Sequence, residues 1–460
     1  MTLQEYVNSI KDKKIAVIGI GVSNTPLIEL LLENGCNVTA CDARTAEKMG
    51  AEADRLLSLG AKLSLGQTYL ENIDADIIFR TPGLMPFDPA LENAKSRGAV
   101  LTSEMEVFMS LCPCKMIAIT GSDGKTTTSS IIAELLKAGG HKVHLGGNIG
   151  NPLLCSTPEI KEDDIVVLEL SSFQLHSMEC HPDVAVITNI SPNHLDKHKD
   201  YQDYIDAKMA IFLKQTAADK LVLHLDDGHT EYYLKSSNAE IAYFSDKQRT
   251  NNGVYCENGM VYAVKNDDCK LIMRADEIRL PGEHNLLNYL AAFSAVEGLV
   301  CHEVCRQVAM DFAGVEHRLE HVRDLHGVEY INDSIASSPT RTSAGLHALK
   351  TKPIVIAGGY DKQIPFDGLG DELCLLAKAV FLTGDTADKI YQAIMASKHF
   401  ENCNLHVEIH KEFDVAVHAA ASFAVSGDIV LLSPACASFD KFDNFAQRGK
   451  HFKKLVMELE

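Results

Sequence analysis

Short continuous apolar runs recur along this chain, each ending on glycine or on polar residues. The strand-like segments that carry them, several opened by an Asp, fall at 14–20 (KIAVIGI), 37–41, 74–79, 116–119, 164–168, 183–189, 328–331, 353–357, 379–382 and 428–432. Runs that are apolar throughout, rather than alternating, are the signature of strands covered on both faces. Helical stretches lie between them: Pro26 to Leu32, Tyr204 to Lys214, and an Ala-rich helix opened by Leu280-Pro-Gly-Glu-His284-Asn285-Leu-Leu-Asn288. On a helix Asn285 and Asn288 share one face. Residues 216–280 hold several short strand-like runs with Asn, Asp and Gly turns and no evident chemistry. Strand-then-polar-loop repetition predicts an α/β protein with largely parallel, doubly wound sheets. Three units are expected, over 1–104, 105–314 and 315–460, with joints near 104 and 314 that could act as hinges. No fixed-period repeat or low-complexity segment interrupts them.

The strongest chemical signal follows the 116–119 strand. Gly121-Ser122-Asp123-Gly124-Lys125-Thr126-Thr127 turns directly into a Thr/Ser-rich helix start. Glycines there let backbone N–H groups close around phosphate oxygens at a helix N-terminus. Lys125 reaches terminal phosphates and the Thr126 hydroxyl suits magnesium. The spacing is a shortened G-x-x-G-K-T form, with Ile119 where the longer motif has glycine. ATP is the expected ligand. Other loops lie at the same carboxyl edge: Glu169-Leu-Ser-Ser-Phe-Gln174 after one strand and Ile190-Ser-Pro-Asn-His194 after another. A carboxylate and an imidazole there suit a magnesium site and its surroundings. Lys208, taken alone, reads as an ordinary solvated lysine on a helix.

At the N-terminus, Gly19-Ile-Gly21-Val-Ser-Asn24 and Asp42 frame a β-α-β start with an acid about 20 residues beyond the first glycine. Asn24 replaces the third glycine of a dinucleotide fingerprint. The turn is read either as a nucleoside-diphosphate site or as a purely structural turn. Arg80-Thr81-Pro82-Gly83 ends the next strand on the same edge.

Composition narrows the classes. The 460 residues carry 43 Lys+Arg against 63 Asp+Glu, a net charge of −20. That balance argues against non-specific nucleic-acid or anionic-membrane binding. No apolar run approaches the ~18 residues of a bilayer span. The 13 cysteines show no pairing framework, and Met1-Thr-Leu-Gln-Glu-Tyr6 shows no secretory pattern. Reduced thiols in a cytoplasm are expected. Cys112-Pro113-Cys114 lacks the second pair that a zinc site needs.

Assembled, these residues resemble the Mur ligases of bacterial cell-wall synthesis over nearly the whole length. The resemblance rests on Gly121 to Thr127, Glu169 to Gln174, His194, Lys208, His284 to Asn288, His317-Arg318 and Asn332-Asp333-Ser334. Leu431-Leu-Ser-Pro-Ala-Cys-Ala-Ser438-Phe-Asp440 through Asn444-Phe445-Ala-Gln-Arg-Gly449 points to the D-glutamate-adding branch. Asp123 and Ile335 depart from residues common in relatives. The resemblance implies a Rossmann-like N-terminal domain, a central P-loop ATPase-type domain and a Rossmann-like C-terminal domain. It implies ATP-dependent joining of D-glutamate to UDP-N-acetylmuramoyl-L-alanine through an acyl phosphate, by a cytoplasmic monomer with two Mg2+ sites. It further implies ATP contacts from Gly121, Ser122, Asp123, Gly124, Lys125, Thr126, Thr127, Asn285, Asn288, Arg318 and Asp333. Metal ligands are Thr126, Glu169, His194 and a carbamylated Lys208. The UDP-substrate is held by Ser23, Asp42, Arg44, Thr81, Pro82, Gly83 and Asn148. D-glutamate is held by Ser337, Lys362, Ser438 and Phe445. Competing readings are another amide ligase of the same or the folylpolyglutamate type, a nicotinamide oxidoreductase built on Gly19 to Asp42, and a non-catalytic P-loop switch.

Overall fold

The computed structural model describes the chain except Asn72, Asn151, Leu195, Asp196, Asp267, Pro281, 362–364 and the side chain of Asp367. Lys362, expected at the glutamate, therefore lies outside the described residues. The chain divides into two compact units, Met1–Phe312 and Ala313–Glu460.

The first unit opens with β1 (Lys14–Ile18), β2 (Asn37–Asp42), β3 (Lys62–Leu65), β4 (Ile77–Phe79) and β5 (Val100–Thr102). They form one sheet in the order β3-β2-β1-β4-β5, parallel throughout. The chain order reverses between β1 and β4. That reversal opens a crevice at their carboxyl ends, where ligands of such sheets bind. β1 stops at Gly19, whose φ of +86° is left-handed. A Cβ there would approach Thr81 Cβ to 2.9 Å, so the Gly19 turn and the 80–83 loop abut. β4 is shorter than the apolar pattern predicts because Asp74 and Asp76 are engaged by Lys14. Asp76 accepts the Lys14 N–H at 2.8 Å, and the Lys14 amine sits 2.6 Å from Asp74.

The second sheet is built from β6 (Lys115–Thr120), β7 (Val143–Gly147), β8 (Ile165–Glu169), β9 (Val184–Ile187), β10 (Lys220–His224), β11 (Glu240–Ser245), β12 (Asn252–Glu257), β13 (Met260–Lys265) and β14 (Asp268–Arg274). Its order is β14-β13-β12-β11-β10-β9-β6-β8-β7. Pairing is parallel except for β12–β13 and β13–β14. The strand-like runs of 216–280 thus extend this sheet to its antiparallel edge. β6 lies between β8 and β9, so the loops after all three strands meet at one edge.

Helix Glu104–Leu111 joins the first sheet to the second. Glu104 at its start is buried and accepts the Leu154 N–H at 2.9 Å. Phe79, Phe108, Leu168 and Tyr204 belong to one hydrophobic cluster. The first two sheets are therefore built around a shared core. Arg80 ties them further. It is 1% exposed, and its guanidinium donates to the carbonyls of Leu84 at 3.0 Å and Phe173 at 2.7 Å and to Ser177 Oγ at 2.8 Å. Burial lowers its pKa to about 10, still leaving it charged at neutral pH. Arg80→Met keeps much of the apolar volume but orphans buried carbonyls. We expect a loss of about 3 kcal/mol, read as a lower denaturant midpoint; an unchanged midpoint would show that these bonds are dispensable.

The second unit holds β15 (Glu320–Leu325), β16 (Val328–Asn332), β17 (Ile354–Ala357), β18 (Ala379–Leu382), β19 (His406–Ile409) and β20 (Ile429–Leu432). The order is β15-β16-β20-β17-β18-β19. Only β15–β16 is antiparallel, so the predicted parallel sheet has one antiparallel edge. Strands β16, β17 and β20 send Asp333, Gly358 and Ser433 to a common carboxyl edge.

Candidate active site

The phosphate loop sits where β6, β8 and β9 end. Gly121 has φ +149° and Gly124 φ +78°. A side chain on Gly121 would collide with Thr188, and one on Gly124 with Asn288. Only glycine fits both positions. The end of β9 peels away to clamp the loop, which is why that strand stops at Ile187 rather than 189. Ser122 N–H donates to Asn189 O at 2.8 Å, and Asp123 N–H to Asn189 Oδ1 at 3.1 Å. Thr188 Oγ1 and Asn189 Nδ2 donate to Asp123 O at 2.6 and 3.0 Å.

Helix Lys125–Ala138 starts directly on Gly124. The Lys125 amine curls over the loop and donates to Gly121 O at 3.0 Å and Ser122 O at 2.8 Å. Thr126 Oγ1 donates to Glu169 Oε2 at 2.7 Å, which brings together two of the four residues expected at magnesium. Their hard oxygen atoms, at the end of a buried strand, fit a magnesium ion. The other oxygen, Glu169 Oε1, accepts from Asn148 Nδ2 at 2.8 Å. Asn148, expected at the muramoyl group, is thus bonded to the Glu169 side chain. Thr127 is buried on the same helix. Thr128 Oγ1 donates to Asn288 Oδ1 at 3.2 Å, and Asn288 Nδ2 to Asn285 Oδ1 at 3.3 Å. The two asparagines share a face of helix Glu283–Val296, as their spacing predicts.

Lys208 corrects the reading of a solvated lysine. Helix Tyr201–Met209 begins earlier than the pattern suggests because Asp200 caps it, accepting the Asp203 N–H at 2.8 Å. It also stops before Lys214, leaving Lys208 penultimate. Lys208 is 1% exposed. Its Nζ donates to Gly121 O at 2.8 Å and lies 4.6 Å from the Tyr204 ring centroid. Burial, then the neighbouring Lys125 charge, hold its pKa well below the usual amine value against the opposing pull of Asp123 and Glu169. Tyr204, which the sequence reading did not single out, also bonds Ser122 Oγ at 2.9 Å. The available signal was its i, i+4 spacing to Lys208.

His194 is exposed, with φ +55°, and its ring centroid is 5.0 Å from that of Phe173. Behind it lies a cluster absent from the sequence reading. Asp203 Oδ2 is 2.8 Å from His198 Nδ1, Asp203 Oδ1 is 2.9 Å from His176 Nε2, and Ser172 Oγ is 3.0 Å from His198 Nε2. Burial lowers the His198 pKa, favouring its neutral form.

At the first sheet, Asp42 is buried and accepts the Ile20 N–H at 2.8 Å and Arg44 Nε at 3.0 Å. Burial opposes ionisation, but these bonds hold the carboxyl below its usual range. Asn24, in the third-glycine position, donates to Ile18 O at 3.0 Å and Gly19 O at 3.1 Å. Its amide stabilises the turn that glycine would leave open. Ser23 and Gly83 are exposed, and Thr81 and Pro82 half-buried, around the same crevice edge.

In the second unit, Asp333 is buried. Ser433 Oγ donates to its Oδ2 at 2.9 Å and the Leu319 N–H to its Oδ1 at 3.2 Å. Arg318 lies in the left-handed turn between His317 (φ +67°) and Leu319 (φ +42°). Ser337 is half-buried, Ser438 buried and Phe445 38% exposed, its ring 6.0 Å from that of His317. Arg448, 2% exposed, binds the Ser334, Cys436 and Ala437 carbonyls at 3.0, 3.0 and 3.1 Å. It fixes the segments that carry Asp333 and Ser438.

Burial pushes the Asp333 carboxyl up from 3.8 to about 7. Between those values the folded state holds a proton that the unfolded chain has lost. Stability from this group therefore falls as pH rises through that window and levels off above it. Asp333→Asn, which keeps an acceptor for Leu319, is expected to flatten that decline in unfolding measured at pH values spanning the window. An unchanged slope would mean that Asp333 does not titrate there.

The fold defines an α/β protein with a glycine-rich strand-to-helix loop between parallel strands. Residues 119–296 match the model of the Mur ligase middle domain, and 317–436 that of the Mur ligase glutamate ligase domain. The chain is 46% identical to the UDP-N-acetylmuramoylalanine--D-glutamate ligase of Acetivibrio thermocellus, covering 100% of this chain and 99% of that one. The Clostridium novyi protein of the same name is also 46% identical, with coverage of 100% and 99%. Among solved structures, the UDP-N-acetylmuramate-alanine ligase of Thermotoga maritima superposes with a TM-score of 0.57 at 18% identity, over 97% of this chain and 99% of that one. A pseudomurein peptide ligase from Methanothermus fervidus gives 0.53 at 21%, over 98% and 100%. This chain belongs to the Mur ligase family.

Proposed function

We propose that the protein joins D-glutamate to UDP-N-acetylmuramoyl-L-alanine at the expense of ATP, in the cytoplasmic synthesis of peptidoglycan precursors. The end-to-end likeness to relatives bearing that enzyme's name carries the reading. With the expected boundaries at 104 and 314, we assign the UDP-substrate to the first part, ATP to the second and the amino acid to the third.

A carboxylate is a poor acylating group because its oxygen leaves badly. Attack of the L-alanyl carboxylate on the γ-phosphoryl group of ATP gives an acyl phosphate and ADP. The D-glutamate amine then attacks the carbonyl, and phosphate departs with the former carboxylate oxygen. Such transfers need positioning and charge neutralisation more than covalent help from the protein. Lys125 is assigned the γ-phosphoryl charge and the loop N–H groups the β-phosphate. Thr126 and Glu169 would hold one Mg2+ through their oxygens, and His194, through a ring nitrogen, and a modified Lys208, through carbamate oxygens, would hold a second. Bound magnesium would supply further positive charge to the phosphoryl oxygens.

Lys208 suits the modification. Burial favours its neutral amine, which adds to carbon dioxide and releases a proton to give a carbamate. The carbamate nitrogen keeps one N–H for Gly121 O, while its oxygens replace a charge that would repel a metal. Asn285, Asn288, Arg318 and Asp333 are assigned to the nucleotide. Ser23, Asp42, Arg44 and 81–83 are assigned to the UDP group, with Asn148 near the muramoyl part. Ser337, Lys362, Ser438 and Phe445 are assigned to D-glutamate.

The test is phosphate release with ATP and UDP-N-acetylmuramoyl-L-alanine, comparing D-glutamate, L-glutamate and other amino acids. Release only with D-glutamate supports the reading. Equal release with another acceptor, or with none, overturns it.

A further inference from the structure

Cys112-Pro113-Cys114 links helix Glu104–Leu111 to β6, at the opposite end of that strand from the phosphate loop. The two sulfur atoms are 3.7 Å apart, in van der Waals contact, and Cys112 Sγ is also 3.6 Å from Cys114 O. Cys112 is half-buried, whereas Cys114 is buried at the edge of the shared core. All thirteen cysteines are free thiols. We propose that Cys112 and Cys114 are a redox-active pair, in which Cys112 meets a peroxide and Cys114 closes the disulfide.

The order of events follows from the surroundings of each sulfur. The contact with the Cys114 side chain holds the Cys112 thiol below its usual range, against the opposing effect of burial. The same contact and burial push Cys114 up. The more exposed thiol with more thiolate character is the one that attacks an oxidant. In the first step Cys112 Sγ attacks one peroxide oxygen. The O–O bond breaks, and the leaving hydroxide takes up a proton as water. The sulfenic acid left on Cys112 faces a second thiol already in contact. Cys114 Sγ then attacks Cys112 Sγ, and hydroxide leaves with the Cys114 proton as a second water. Two thiols and one hydrogen peroxide become one disulfide and two waters. Closure needs the sulfurs to approach by roughly 1.7 Å, within reach of side-chain rotation and a small shift of the linking segment. Cys269 and Cys301 are exposed thiols and serve as internal comparators.

The sequence provides a clean readout. Trypsin cuts after Arg97 and Lys115, and the 98–115 peptide holds just these two cysteines. The full-length protein is treated with limiting hydrogen peroxide, blocked with iodoacetamide, digested and weighed. We expect the 98–115 peptide to become lighter by two hydrogens and resist alkylation, ahead of oxidation at Cys269 or Cys301. Dithiothreitol reverses the change. In Cys114→Ser, dimedone traps a sulfenic acid on Cys112; in Cys112→Ser, Cys114 stays reduced. A 98–115 peptide that remains a dithiol while Cys269 or Cys301 is oxidised overturns the pair. So does Cys114 oxidising as readily in Cys112→Ser as in the parent protein.

Discussion

Lys125→Ala is expected to lower kcat by about a thousandfold or more while leaving the fold intact. The loss follows from position. The amine curls over the phosphate loop, held by Gly121 O and Ser122 O, at the N-terminus of helix Lys125–Ala138. A phosphoryl group entering that loop exchanges those neutral carbonyls for a charged partner, and the interaction strengthens as charge develops. Removing one preorganised donor to such charge costs on the order of 10²–10³ in rate, and loss of a full positive charge sits at or above the upper end. The fold should survive because the loop is clamped elsewhere, through Ser122 to Asn189 and through Asp123 to Thr188 and Asn189. Phosphate release and thermal melting measured together check both halves. Near-normal kcat would remove Lys125 from the catalytic role.

The second large effect is at Lys208. Lys208→Ala should be nearly inactive, and added acetate or formate should restore part of the activity. The alanine leaves room beside Gly121 O and Tyr204 where a small carboxylate can present the oxygens that a carbamate would. Lys208→Arg should be inactive and should not respond, since guanidinium stays positive and does not add carbon dioxide. That contrast separates the chemistry from simple packing, because a structural role would favour the bulkier arginine or be blind to acetate. Labelled bicarbonate gives an independent view. A carbamate carbon resonance should appear in the parent protein and vanish in both variants. Full activity with an unmodified amine would sink the idea.

The phosphate loop illustrates how much was legible in advance. Gly121, Gly124, Lys125 and Thr126 are adjacent in sequence, so a local motif encodes their whole arrangement. Glu169 was legible for a related reason, as the polar end of an apolar strand reaches the same sheet edge. Lys208 was legible only through the family resemblance and not from its own pattern, because its meaning depends on what covers it. A helix with polar residues on several faces looks solvated until Tyr204, β6 and the loop close over the amine. The His176–His198–Asp203 cluster and the Arg80 tie were missed because each joins residues far apart in sequence through tertiary contact.

The sequence by itself determined that this is an α/β protein, that a glycine-rich loop leads from the 116–119 strand straight into a helix, and which family it joins. Those features are local or periodic: apolar runs choose strands, glycines choose turns, and the loop's residues need no distant partner. Only the tertiary structure decided where β4 starts and where β9 stops, because Lys14 takes the aspartates before β4 and Thr188 and Asn189 leave their strand to hold the loop. Tertiary structure also decided that Asn148 bonds Glu169 and that Asp333 and Lys208 are buried. Desolvation by distant segments changes a group's chemistry without changing a letter of the local sequence.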